Sequence, residues 1–379
     1  MARVLSWQIN ADAKAAVEQA VQALSSGKLV AFPTETTYVV AASARVPDAV
    51  ARLACRDADS RPLALGVGGL PHALDLVPDM GLMGRRLARR CWPGPLTLVC
   101  EEGLTSNVDI VPTSVRDRLC ASGPPSLRTP AHSAILHVLY EIGDALVLTA
   151  PGATPPATPD LLLPHLSDDV TLLIDDGPCR FGPDTTVVRV GGDQWRLERE
   201  GIVGADQLQV QAACVVVFVC TGNTCRSPLA EALCKKRLAD RLGCSQDELA
   251  RRGFVVLSAG LAALEGDRAA EPAIEIGRER GVELSNHASQ PLDRFLAVQA
   301  DYLVCMTRSH LETLVSLFPH LGCYPRLLSA DGTDLPDPIG QDAEVYRGCA
   351  ARIEQDLEGL VEELLAAQPR QGERGREQP

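Results

Sequence analysis

The stretch VVVFVCTGNTCRSPLAEAL, residues 215–233, decides how the C-terminal half of the chain is read. An apolar, β-branched run ends on Cys220. Small and polar residues follow, and then a helix-like pattern begins. The run reads as a core strand, and the carboxyl end of a strand is where open α/β sheets place their ligands. Gly222 permits a tight loop whose backbone amides point inward. Ser227 suits a helix N-cap and Pro228 the first helical position, so free amides and a partial positive charge face the loop. Arg226 adds a planar, permanently charged fork that matches phosphate oxygens. Such a ring would bind an oxyanion and favour the thiolate of Cys220, which is the nucleophilic form. The Cys-x5-Arg spacing alone fits equally well a buried cysteine beside a surface arginine at a strand–helix turn.

Outward from this stretch, strand signals lie at 214–220, 254–260, 300–306 and 325–329. Helical segments at 228–242, 268–281, 308–317 and 342–366 alternate with them. That alternation predicts an α/β domain over 214–367: a four-stranded parallel sheet with helices on both faces. Residues 206–213, rich in Ala and Gln, read as a linker. The polar tail 368–379, with Gly and Pro, reads as disordered. Upstream, strand and helix signals mix over roughly 200 residues, so 1–205 is expected to form one α/β domain. There, 12–26 and 81–91 read as helices, and 120–134 and 151–165 as loops.

The length of 379 residues agrees with two domains at about 100–200 residues each. A net charge of −13 argues against a general nucleic-acid coat. No apolar run reaches about 18 residues, so no membrane span is expected. No basic start followed by an apolar core marks a signal peptide. The 13 cysteines then read as free thiols in a reducing cytoplasm. None has zinc-site spacing, so no metal is expected.

The string VCTGNTCRSPLAEAL resembles the signature of the low-molecular-weight protein tyrosine phosphatase family. LSAG (257–260), ADYLVCMTRSH (300–310) and LPDPIG (335–340) extend the resemblance over the C-terminal domain. It implies a two-step mechanism without a cofactor. Cys220 would form a phosphocysteine, with Arg226 and the loop Thr221, Gly222, Asn223, Thr224 and Cys225 holding the phosphoryl oxygens. Ser227 would donate to the Cys220 sulfur, and Ser258 would brace Asn223. Asp337 would serve as general acid and then base, with Asp334 as the local competitor. The implied substrates are phosphorylated proteins. Thr224, where tyrosine-directed members carry a bulky aliphatic residue, is similar to the bacterial protein arginine phosphatases; a tolerated β-branched substitute is the alternative. Ile339 leaves the loop after Asp-Pro without an aromatic, which weakens the phosphotyrosine reading. Cys225 either forms a reversible disulfide with Cys220 or is a packed side chain. Arsenate reduction ranks low, because Cys305 and Cys323 lie too far apart in sequence.

LVAFPTETTYVVAA (29–42), WPGPLTLV (92–99), SLRTPAH (126–132) and GPDTTVVRV (182–190) resemble the YrdC-type domain of threonylcarbamoyl-AMP synthases. The fold implied is a twisted mixed sheet. The family's Lys-x-Arg is replaced by Cys55, Arg56 and Asp57, and its Ser-Ala-Asn by Ala150, Pro151 and Gly152. The expectation is a degenerate domain whose surviving pocket residues are Thr34, Thr37, Arg61, Arg128 and Thr185. One alternative is a bifunctional chain that still uses Mg-ATP to make threonylcarbamoyl-AMP for tRNA modification. Another is a regulatory module that binds a nucleotide or RNA. Double-stranded RNA would betray itself by a steep salt dependence.

Overall fold

The computed structural model describes residues 2–7, 13–55, 62–182, 184–319, 321, 323, 325–368 and 370–371. Backbone contacts divide the chain into two compact units, Met1–Leu208 with Arg370–Pro379, and Gln209–Pro369.

In the second unit, strand Cys214–Cys220 lies between Phe254–Gly260 and Tyr302–Cys305, with Arg326–Leu327 at the far edge. All pairings are parallel. Every residue of the Cys214–Cys220 strand is buried. Cys214, Val216, Phe218 and Cys220 enter one core, which helices Arg226–Leu242, Glu271–Glu279 and Ala343–Ala366 cover. Val215, Val217 and Val219 enter a second core under Arg294–Gln299 and Arg308–Leu317. Burial on both faces is why this strand has no polar position; a sheet wetted on one side would alternate.

The residues read as a linker form a helix, Ala205–Ala212, and the boundary between the two units falls within it. Its Ala, Gln and Leu are good helix formers, and Leu208 is fully buried. In the tail, Arg370–Gln371 pairs parallel with Gln194–Trp195. Residues 372–379 lie outside the described residues.

The first unit is built on an eleven-stranded mixed sheet. Leu29–Phe32, Val39–Ser43 and Leu146–Thr149 run antiparallel to one another in succession. Leu96–Cys100 and Thr186–Gly191 run parallel. Helices Ala13–Ser25 and Ser133–Ile142 pack on one face through Ala16, Ala20, Leu24, Ile135 and Val138. The region 120–134, expected to be loop, contains strand Ser126–Arg128, set between Ala64–Gly66 and Leu96–Cys100. Three residues are too few to show a period, and this strand delivers Arg128. The stretch 151–165 contains a helical turn, Pro159–Leu162, capped by Thr158. No helix among the described residues is long and apolar enough to cross a membrane.

Candidate active site

The site begins where strand Cys214–Cys220 ends. The loop's carbonyls are turned outward and satisfied there. The Cys220 and Thr221 oxygens accept from the amides of Leu261 and Ala262 at 3.0 and 2.9 Å. The Asn223 oxygen lies 2.7 Å from His287 Nε2, and the Thr224 oxygen accepts from the Ala270 amide at 2.9 Å. A trans peptide points its N–H opposite its C=O. The amides of Thr221, Gly222, Thr224 and Cys225 therefore face the interior of the loop. The residue that takes the left-handed turn is Asn223 (φ 54°), not Gly222. Asparagine is among the few side chains that tolerate this conformation. The required glycine is Gly260: a side chain there would stand 2.5 Å from the Thr221 carbonyl oxygen and 3.0 Å from Asn223 N.

The helix starts at Arg226, one residue before the expected cap, so Ser227 lies in its first turn. Its hydroxyl is used elsewhere. Asn223 Nδ2 donates to Ser227 Oγ at 2.9 Å and to Ser258 Oγ at 2.8 Å. The Asn223 carboxamide is held by the Gln290 amide, which donates to Oδ1 at 2.9 Å. Ser258 Oγ donates to Glu231 Oε2 at 2.6 Å. Both serine oxygens thus accept from Asn223. The Ser227 proton is left to point at Cys220 Sγ, 2.9 Å away. The Asn223 amide donates to the same sulfur at 3.2 Å. Cys220 is buried, and two directed donors converge on its sulfur.

Arg226 is almost fully buried. Its NH1 donates to the Leu335 carbonyl at 3.2 Å and its NH2 to Asp337 Oδ2 at 2.5 Å. Asp337 is 42% exposed, so this pair reaches from the protein interior to solvent across the loop. Asp334 is turned away: its Oδ1 accepts from the Arg308 amide at the start of helix Arg308–Leu317. His310 lies beside the loop, 2.8 Å from Thr221 Oγ1 and 2.9 Å from Thr307 Oγ1. Burial, helped by the nearby Arg226 charge, pushes His310 below the ordinary histidine range. Cys225 is buried with its sulfur 3.3 Å from the Tyr346 hydroxyl, and burial pushes that phenol up. Thr224 is half-buried, its hydroxyl 3.7 Å from Cys225 Sγ.

The structure therefore gathers Cys220, Thr221, Gly222, Asn223, Thr224, Cys225, Arg226, Ser227, Ser258 and Asp337 at one end of the sheet. Sequence reading did not single out Glu231, Gly260, His287, Gln290, His310 or Tyr346. The run 285–290 (SNHASQ) has no periodicity and marks only a loop. His310 stood within a quoted motif, but nothing in its spacing ties it to Thr221.

In the first unit, Thr37, Arg128 and Thr185 line one cavity of about 260 Å³. Thr185 Oγ1 lies 3.2 Å from Thr97 Oγ1. Arg128 donates to Glu35 Oε1 at 2.8 Å, a pair that is almost wholly buried. Arg199, also on the wall, lies 3.1 Å from Asp184. Thr34 lines a neighbouring cavity, and its hydroxyl is engaged in its own turn, donating to Thr37 O at 2.6 Å. Cys55 is exposed, while Arg56, Asp57 and Arg61 lie outside the described residues.

A buried sulfur under directed donors, a buried arginine fork and an adjacent carboxylate thus meet at one strand end. Comparison with known proteins gives the families. The profile of low molecular weight phosphotyrosine protein phosphatases matches residues 215–370. That of Sua5, YciO and YrdC proteins, described as telomere recombination, matches residues 22–201. The protein-arginine-phosphatase of Geobacillus stearothermophilus is 32% identical over 157 residues, spanning 40% of this chain and 97% of that protein. A low molecular weight protein-tyrosine-phosphatase, EpsP of Ralstonia nicotianae, is 28% identical over 152 residues, 40% of this chain and 96% of that protein. A Mycobacterium tuberculosis protein named as a threonylcarbamoyl-AMP synthase is 32% identical over 196 residues, 51% of this chain and 87% of that protein. The chain belongs to both families: it is a low molecular weight protein phosphatase fused to a threonylcarbamoyl-AMP synthase-like domain.

Proposed function

We propose that Cys220 is the nucleophile, Arg226 the phosphoryl clamp and Asp337 the general acid and base of a phosphatase acting on phosphorylated protein side chains. The observation that carries this reading is the pair of donors converging on Cys220 Sγ beside the buried Arg226 fork. In the first step the S–P bond forms as the bond from phosphorus to the leaving group breaks. The Asp337 carboxyl gives its proton to that leaving group. In the second step water attacks phosphorus, Asp337 takes a water proton, the S–P bond breaks, and phosphate leaves with the thiolate restored. The chemistry requires no cofactor. A reduced thiol is needed throughout, which fits a cytoplasmic setting.

Phosphoarginine is the favoured substrate. Thr224 offers a hydroxyl on the loop wall; Ile339, 64% exposed, leaves no aromatic ring to stack on a phenyl group, which tells against phosphotyrosine but does not itself favour phosphoarginine. Phosphoarginine and phosphotyrosine peptides, hydrolysed side by side, test this. Wild type is expected to prefer phosphoarginine, and Thr224→Ile to lower that activity roughly tenfold to hundredfold with phosphotyrosine little changed. Equal loss on both peptides removes Thr224 as the specificity residue. No cleavage of either peptide reduces the loop to an anion site without this chemistry.

The N-terminal domain is read as a fold that has lost its grip on Mg-ATP. Among the described residues lining the cavity, Arg128 and Arg199 each face a carboxylate, which offsets the charge they could offer a triphosphate. Among the described residues lining the cavity these are the two cations, a poor fit to the group, and no step runs through it. The full chain is expected to give no threonine-dependent release of pyrophosphate from ATP. Such release would restore the bifunctional reading. A nucleotide or an RNA remains a partner to test by titration across a salt series.

A further inference from the structure

The segment between strand Arg326–Leu327 and helix Ala343–Ala366 carries Asp337, and it is held in place from two helices. From Ala343–Ala366, Arg352 NH2 donates to Ser329 Oγ at 2.9 Å, Asp331 Oδ2 at 2.8 Å and Thr333 Oγ1 at 2.9 Å. Its Nε donates to Asp356 at 3.0 Å, which fixes the guanidinium plane. Within the turn, Asp331 Oδ1 accepts from Ser329 Oγ, the Thr333 amide and Thr333 Oγ1 at 2.5, 2.9 and 2.6 Å. Those donors, Ser329 and Thr333 first, hold the Asp331 carboxyl well below the usual range. From the other side, Arg308 donates through Nε and NH2 to the Gly332 carbonyl at 3.2 and 2.9 Å.

Past this turn, the Leu335 amide donates to Met306 O at 2.9 Å, and the Leu335 carbonyl accepts from Arg226. Pro336 and Pro338 flank Asp337 and fix φ on both sides of it. The chain between the turn and the acid is therefore short and stiff. The turn, held by the Arg352 and Arg308 guanidiniums, sets the angle at which it arrives.

We propose that Arg352 is a positioning residue for Asp337, acting through the 329–333 turn without touching substrate. This rests on Asp337 being the general acid, and the test separates the two claims. The measurement is kcat/KM for a series of substituted phenyl phosphates of increasing leaving-group pKa, on the full chain. A misplaced acid steepens the dependence on leaving-group pKa, because poor leaving groups need the proton and good ones do not. A merely structural defect lowers every substrate by one factor and leaves the slope unmoved.

Arg352→Met is expected to cost roughly tenfold for unactivated phenyl phosphates and less than about twofold for nitrophenyl esters. Arg352→Lys, which keeps charge and bulk but loses the fork, should show a smaller change of the same kind. It serves alone if the methionine variant does not fold. Asp337→Asn is the control, with the steepest slope. If that control steepens while neither Arg352 variant does, Arg352 has no positioning role and the assignment of Asp337 stands. If Asp337→Asn leaves the slope flat, the assignment of the acid fails, and the role of Arg352 fails with it.

Discussion

Replacing Cys220 with serine is expected to abolish hydrolysis of phosphorylated peptides, by about four orders of magnitude or more in kcat. The expectation is specific because the substitution is nearly silent structurally. A serine oxygen would still receive the Asn223 amide and the Ser227 hydroxyl, which now stand 3.2 and 2.9 Å from the sulfur. What is lost is the nucleophile, since an alcohol ionises far less readily than a thiol. Steady-state hydrolysis and thermal unfolding, measured on the same preparation, check this. A dead enzyme with an unchanged melting temperature identifies Cys220 as the reacting group. A variant with a tenth of the wild-type rate would mean that water is activated directly and that Cys220 only shapes the loop.

Arg226→Lys is expected to lower kcat/KM by roughly 10²–10³, the range seen when one oxyanion donor is removed. Conservation of charge does not protect this position. The guanidinium bridges the Leu335 carbonyl and Asp337, and it is buried at the helix start where it faces the loop. An ammonium is a point donor on a more flexible stem and cannot span both partners. The side chain proposed to stabilise the transferring phosphoryl group also holds the segment bearing the proposed acid, so KM and kcat should both worsen. Kinetics with a chromogenic aryl phosphate separate the two. A loss confined to KM would make Arg226 a simple anion-binding residue. Wild-type kinetics would leave the inward amides and the helix terminus to hold the phosphoryl group alone.

Much of the C-terminal domain was legible in its sequence. A seven-residue apolar strand with no polar break requires helices on both faces, and the strand–loop–helix order requires a parallel sheet. Cys220 and Arg226 stood out by their place at a strand–helix turn, but spacing alone left them equally readable as structural; Ser227 and Asp337 were given roles only by the family resemblance. The helix start was misplaced because Ser227 looks like a cap by type, while its hydroxyl is taken by Asn223 and Cys220. The helical form of the linker was not read because Ala- and Gln-rich composition describes a helix as readily as a tether. In the N-terminal domain, strand Ser126–Arg128 stayed hidden because three residues carry no period.

The sequence by itself determined the two-domain division, the alternating architecture of the second domain and the residue types of its phosphoryl-binding loop, because these depend on patterning over a few consecutive residues. Tertiary structure alone decided which donors reach the sulfur, that Asp334 faces Arg308 while Asp337 faces Arg226, and that Arg128 is neutralised by Glu35. Those outcomes depend on side chains brought together from distant elements, where hydrogen-bond direction and burial choose among partners that spacing along the chain leaves equal.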